Sequence, residues 1–178
     1  MTACANSIGW PEKKELPDQL SVTLDVPPTW GSKSAVEDHC SFRVNVSNKR
    51  NADLQLLNVS FVEPRFLLLK GDGTEVELDV PIKNLHGPST NPGITIGPSS
   101  GIGFKVEMAR PALPAVLKDG TVVLEVRITL VAGDIVEDRD GKAGYLDGFH
   151  YQLVRRLSGA ERLLKFPPPA AQATPSGD

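Results

Sequence analysis

Apolar and polar side chains alternate from 121 to 130, TVVLEVRITL, with Val122, Leu124, Val126, Ile128 and Leu130 in one phase and Thr121, Val123, Glu125, Arg127 and Thr129 in the other. A period of two is the spacing of a strand with one face on a core and one in water, whereas helical spacing would bring Glu125 and Arg127 among the apolar residues. Val123 sits in the outward phase. It predicts a cover over that part of the sheet, from the 109–120 crossover, from the N-terminal arm carrying Trp10, or from another subunit.

The same alternation recurs along the chain. Leu20, Val22, Leu24 and Val26 form one strand, ended by Pro27-Pro28, and Cys40, Phe42, Val44 and Val46 form the next. A third runs from 54 to 61 with a phase slip between Leu56 and Leu57, which predicts a bulge or a strand buried on both sides, and Glu63-Pro64 is expected to break it. Residues 66–69 and 76–80 flank the turn Lys70-Gly71-Asp72-Gly73 and read as a hairpin, whose Glu75, Glu77 and Asp79 predict a solvated face. Residues 94–96 offer a short strand within the long Gly- and Pro-rich stretch 81–100. Ile102, Phe104, Val106 and Met108 give a clear strand, Phe149, Tyr151 and Leu153 the last major one, and Leu157 with Leu163, Leu164 and Phe166 an added edge.

These elements predict an all-β chain folded as a two-layer antiparallel β-sandwich, with an immunoglobulin- or fibronectin-like topology and a jelly roll as the alternative. The expected organisation is an N-terminal arm at 1–18, a single sandwich domain at 19–166 and a disordered Pro/Ala-rich tail at 167–178. The ribbon at 121–130 is expected at the centre of one sheet, flanked by 102–108 and 149–154, with its apolar face toward 20–26 and 40–47.

With 178 residues and 40% hydrophobic content, the chain can bury a single core without staples. A formal charge of -3 gives no reason to expect nucleic acid or an anionic membrane as partner, and no apolar run approaches a membrane span. The expected partner is a protein or a second copy of the chain. The N-terminus lacks a basic region followed by an apolar run, so cytoplasmic location is the expectation, with secretion as the alternative if a leader has been removed. Asn45-Val46-Ser47 and Asn58-Val59-Ser60 match the glycosylation acceptor, which matters only for a secreted chain. Cys40, heading a strand, reads as a buried thiol, with a disulfide to Cys4 as the alternative.

Motif chemistry is sparse. GxGxxG before a helix, CxxC, HExxH and GxSxG are all missing, which argues against a nucleotide enzyme, a familiar zinc protease and an α/β-hydrolase. His39 and His86 would have to meet beside Asp38 to hold zinc or copper, and His150 falls in the outward phase. Glu137, Asp138 and Asp140 are the candidate calcium ligands, being oxygens closely spaced on a loop, although Arg139 and Lys142 offset their charge and the spacing is not that of an EF-hand. No catalytic residue and no cofactor is assigned.

The leading expectation is a non-catalytic binding or scaffold module that recognises a protein through loops at one end of the sandwich, mainly 85–100 and 134–146. His86, Asn91, Tyr145 and Trp10 are the candidate contact residues. One alternative is a carbohydrate-binding or small β-sandwich enzyme domain with Tyr145, Phe149, Tyr151 and Trp30 available to stack on a sugar. The other is a structural subunit of a homo-oligomeric assembly, suggested by the arm, the tail and open sheet edges.

Overall fold

The computed structural model describes residues 12–13, 15–26, 39–87, 93–112, 120–136 and 145–165, with the backbone alone for 61–63, 135–136 and 145–147. Nine strands are formed among them: β1 (Glu12–Lys13), β2 (Leu20–Asp25), β3 (His39–Asn48), β4 (Leu54–Leu69), β5 (Glu75–Glu77), β6 (Ile94–Ile96), β7 (Ser100–Ala109), β8 (Thr121–Val136) and β9 (Tyr145–Ser158). The larger sheet has the order β1-β9-β8-β4-β5, with β6 also on β4; the smaller is β2-β3-β7. All pairings are antiparallel except the two-residue β1–β9 contact. The fold is therefore an immunoglobulin-like β-sandwich, in which the chain crosses between sheets at β1–β2, β3–β4, β6–β7 and β7–β8.

The central ribbon is β8, longer than the alternation suggests, paired along its length with β9 and β4. Val122, Leu124, Val126, Ile128 and Leu130 are all buried in one cluster with Val22, Phe42, Val44, Val46 and Val106. One expected neighbour is corrected. Residues 102–108 lie in the opposite sheet, paired with β3 in a register that places Val106 beside Phe42. A strand facing the ribbon and a strand flanking it carry the same alternation, so periodicity cannot separate the two.

The phase slip in β4 is a register shift between Leu56 and Asn58. Glu63-Pro64, expected to end the strand, does not. Val62 pairs with Arg127 and Arg65 with Glu125, so Glu63 and Pro64 together oppose Val126 alone. A bulge leaves a residue out of the ladder, and that is where proline's missing N–H costs least. Beyond it, Leu67 to Leu69 pair with β5 across a turn in which Gly73 takes φ 84 and the Lys70 N–H donates to the Thr74 carbonyl. Strand β5 is shorter than the 76–80 alternation suggests. Leu78 and Val80 leave the ladder and instead pack against the core with Ile82 and Leu85.

A second correction concerns the end of the chain. Leu157 belongs to β9, and the expected edge strand is replaced by a 3-10 turn at Ala160–Leu163, entered through Gly159 at φ 71. Ala160, Leu163 and Leu164 are core residues that plug the end of the sandwich where β8 begins, and the Glu161 carboxylate accepts a bond from the Val122 N–H. Glu12–Lys13, within the stretch expected as an arm, is hydrogen-bonded in parallel to β9, with the Lys13 ammonium 3.5 Å from the centre of the Phe149 ring. Among the described residues, no helix is long and apolar enough to cross a membrane.

Candidate functional site

The middles of the two expected recognition loops, 88–92 and 137–144, lie outside the described residues; of their described parts, Thr95 and Gly133 flank Gln55 on β4. His86 is exposed and exchanges both backbone bonds with Glu107, near the end of β7. That end is marked by Pro111, which accepts from the Lys165 N–H just beyond the 3-10 turn. Tyr145 instead opens β9 opposite Val136, at the far tip of the β8–β9 hairpin. The distal end of the 85–100 stretch does reach Tyr145's end of the sandwich, because Asn48 anchors it there. The Asn48 amide donates to the carbonyls of Ala52, Ile96 and Gly97, and its oxygen accepts from the Arg50 N–H. Arg50 in turn pairs with Asp134. Trp10, Asn91, Glu137, Asp138 and Asp140 lie outside the described residues, as does Trp30. Among the described residues, no group of three or more His, Cys, Asp or Glu is placed to hold a metal ion.

The sugar-stacking reading loses two of its aromatics. Tyr151 is 4% exposed and belongs to the core, and Phe149 packs against that core with its ring centre 6.2 Å from that of Tyr151. Cys40 is free and buried, and burial pushes its thiol up to about 11.

Two features of the larger sheet were not expected. The first is a plate of ion pairs on its outer face. Glu125, assigned to water by its phase, has a side chain only 5% exposed. Register places Arg65 on one side of it and Arg156 on the other, and both guanidiniums close on its carboxylate at 2.6 to 2.8 Å. Burial alone would raise the pKa of Glu125, but the hydrogen bonds from Arg65 and Arg156 outweigh it and hold the carboxyl below its usual value. Each arginine also grips a glutamate of β5: Arg65 holds Glu77 at 3.1 Å and Arg156 holds Glu75 at 2.6 Å. Glu75 and Glu77, expected on a merely solvated face, thus belong to a network.

That network lies beside Val123 in the sheet. Leu67 and Val123 are paired neighbours on the outer face, 4% and 5% exposed. The Arg156–Glu75 bridge runs from β9 to β5 and so passes over the two strands that carry them. Among the described residues, a charged bridge therefore crosses the strands that carry Val123 and Leu67. The aliphatic stems of such arginines can cover apolar surface while their heads meet water.

The second feature is a groove on the flank of the sandwich. Between the β6 pairing at Leu54–Leu56 and the β5 pairing at Leu67–Leu69, the outer edge of β4 has no strand beside it among the described residues. The chain after β5 runs past this gap, held by a bond from the Leu78 N–H to the Phe66 carbonyl and, further on, by the Lys83 carbonyl accepting from the Ala109 N–H. A groove of about 340 Å³ remains between the two. Phe66 forms part of its floor, Leu78, Val80, Ile82 and Leu85 its wall, and Pro64, Arg65 and Glu77 its rim. Its volume is at the small end of the roughly 300–1,000 Å³ range of ligand pockets. On the smaller sheet Arg43 pairs with Asp25 and Lys105 with Glu107, and a cleft of about 300 Å³ at its end is lined by polar residues such as Ser47, Lys49 and Ser100.

Sequence reasoning missed both features for one reason. Alternation tells which residues share a face, and it is silent on what lies across that face. The clue within reach was the presence of apolar residues in the outward phase, and for the groove the two prolines, Pro64 and Pro81, bracketing an otherwise strand-like run.

No family model matches the chain, and no curated protein matches it. Solved structures similar to it include the ASH/PapD-like domain 7 of human CEP192, with 9% identity, 87% of this chain and 96% of that chain covered, and a TM-score of 0.30. A FixG-related protein from Vibrio parahaemolyticus shows 12% identity over 78% of this chain and 98% of its own, with a TM-score of 0.29. AggA, the major subunit of aggregative adherence fimbriae type I from Escherichia coli, shows 12% identity over 80% and 99%, with a TM-score of 0.26. Likeness at this level carries no argument about function.

Proposed function

We propose that this chain is a non-catalytic binding module that takes a protein segment into the groove on its β4–β5 flank. The observation that carries the reading is the groove itself, an open cleft lined by four half-buried aliphatic side chains, Leu78, Val80, Ile82 and Leu85. Apolar surface left accessible in a concave, polar-rimmed site gains most when a partner removes it from water. Val76, 40% exposed at the adjoining hairpin, extends the apolar surface beyond the rim.

The sandwich supplies the rigidity such a site needs. On one side the groove is backed by β4, which is locked to β8, and on the other by a segment tied to both sheets. Site-specific photo-crosslinking tests the reading. A photoreactive residue at Val80 should give adducts of defined mass in cells that make the protein, while one at Thr23, on the polar face of the smaller sheet, should not. Equal labelling at both positions, or labelling at Thr23 alone, would overturn it.

A further inference from the structure

We infer that the occupant of this groove is an extended peptide segment in which large apolar side chains alternate with lysine or arginine; the inference rests on the groove being the binding site.

The wall of the groove is itself written as an alternation. Leu78, Val80 and Ile82 line the groove, the residues between them, Asp79 and Pro81, are exposed, and so is Glu77 just before them. Side chains on one face of an extended chain recur about every 6.5 Å. The wall itself is not a strand, since the Val80 N–H donates to the Leu78 carbonyl in a tight turn, but an extended partner crossing the groove can still put alternate residues inside it while those between them meet the carboxylates of the lip.

The charges point one way. Glu75, Glu77 and Glu125 share two guanidiniums, those of Arg65 and Arg156, and Asp79, exposed two residues beyond Glu77, joins no ion pair among the described residues. Lys83 is the remaining cation on the segment. Both guanidiniums are already held by carboxylates, so the lip offers anionic oxygen to an incoming chain and little free positive charge. Rim charges of this kind set orientation and selectivity more than bulk affinity.

Backbone pairing, by contrast, is poorly served. Pro64 lies on the open edge at a bulge, Pro81 interrupts the facing wall, and neither has an N–H. Bulges and prolines at an edge discourage the addition of a regular strand. Recognition therefore falls to the side chains, apolar anchors in the groove and cations on the lip.

The test is selection of random linear peptides displayed on phage against the full chain, with counter-selection on a Val80→Asp variant to discard binders from other surfaces. The expected result is enrichment of peptides alternating apolar with basic residues. Their binding should weaken as salt rises, and should fall about ten-fold or more for Glu77→Lys/Asp79→Lys, a pair of surface changes that leaves the core untouched. Enrichment of acidic or uncharged peptides that still depend on Val80 would overturn the inference and leave the groove as a binding site. Absence of any Val80-dependent enrichment would overturn both. Sedimentation that shows wild-type dimers abolished by Val80→Asp would identify a second copy as the occupant, and would likewise overturn the inference.

Discussion

Replacement of Glu125 by glutamine should be the most costly single change on the outer face of this sandwich. Removing one partner of a buried ion pair typically costs about 3–5 kcal/mol, because the other is left charged in a dry place. Here the carboxylate side chain is 5% exposed, while its partners Arg65 and Arg156 are 41% and 46% exposed. Those guanidiniums can recover water when the carboxylate goes. The expected loss is correspondingly smaller, about 2–3 kcal/mol. In urea the midpoint should fall by about 1–1.5 M for an m-value near 2 kcal/mol/M. On heating, the transition should fall by about 4–12 °C for a chain of this size. Glu77→Gln, at a side chain 61% exposed, is the control and should cost under about 1 kcal/mol. Replacing Glu125, Arg65 and Arg156 together by leucine should recover most of the loss, since no charge is then left at the buried position, and Glu77 and Glu75, which lose their arginines, are 61% and 39% exposed. The reasoning is refuted if Glu125→Gln changes stability no more than Glu77→Gln does.

Three further outcomes follow from the same contacts. Asn48→Ala should cost about 2 kcal/mol in urea unfolding, because three backbone carbonyls lose their donor in a site 1% exposed, and Asn48→Asp should be at least as damaging because its carboxylate would face those oxygens. Cys40 should resist a disulfide-exchange reagent in the native protein at neutral pH and react fully once the chain is unfolded, because burial pushes its thiol up to about 11; rapid native-state labelling would contradict that burial. Stability should fall on acidification. The hydrogen bond from Arg43 lowers Asp25, and at Glu125 burial raises the carboxyl but the bonds from Arg65 and Arg156 outweigh it. Carboxyls lowered in the fold contribute stability that is present above their unfolded values, near 3.8 and 4.5, and lost as pH falls through the folded ones. Thermal melts from pH 6 to 3 should show this drop, and the Glu125→Gln variant should show a shallower one.

Much of the architecture was legible because burial writes itself into alternation. Inward residues such as Val22, Phe42, Val106 and Leu124 could be assigned without knowing what they touch. The placement of β7 could not, since strands of facing and flanking position share one pattern. Proline misled at position 64, where its cost in a ladder is real but is relieved by a bulge. Glu125 misled in the opposite sense. Its phase was read correctly as outward, yet two arginines from neighbouring strands bury it there. The groove was hidden for a similar reason: Leu78 and Val80 alternate as strand residues do, but their backbone leaves the sheet, and their side chains become a wall. Of the residues singled out for contact, His86 and Tyr145 fall toward opposite ends of the sandwich, and neither lines the groove.

The account stands most directly on where a bound peptide touches the protein. Methyl-labelled protein titrated with an enriched peptide should show its largest shifts at Leu78, Val80, Ile82 and Leu85, with the methyls of Leu20 and Val22 on the far flank unmoved. Shifts concentrated instead at the Asn48 and Asp134 end of the sandwich, with the groove methyls unchanged, would contradict it.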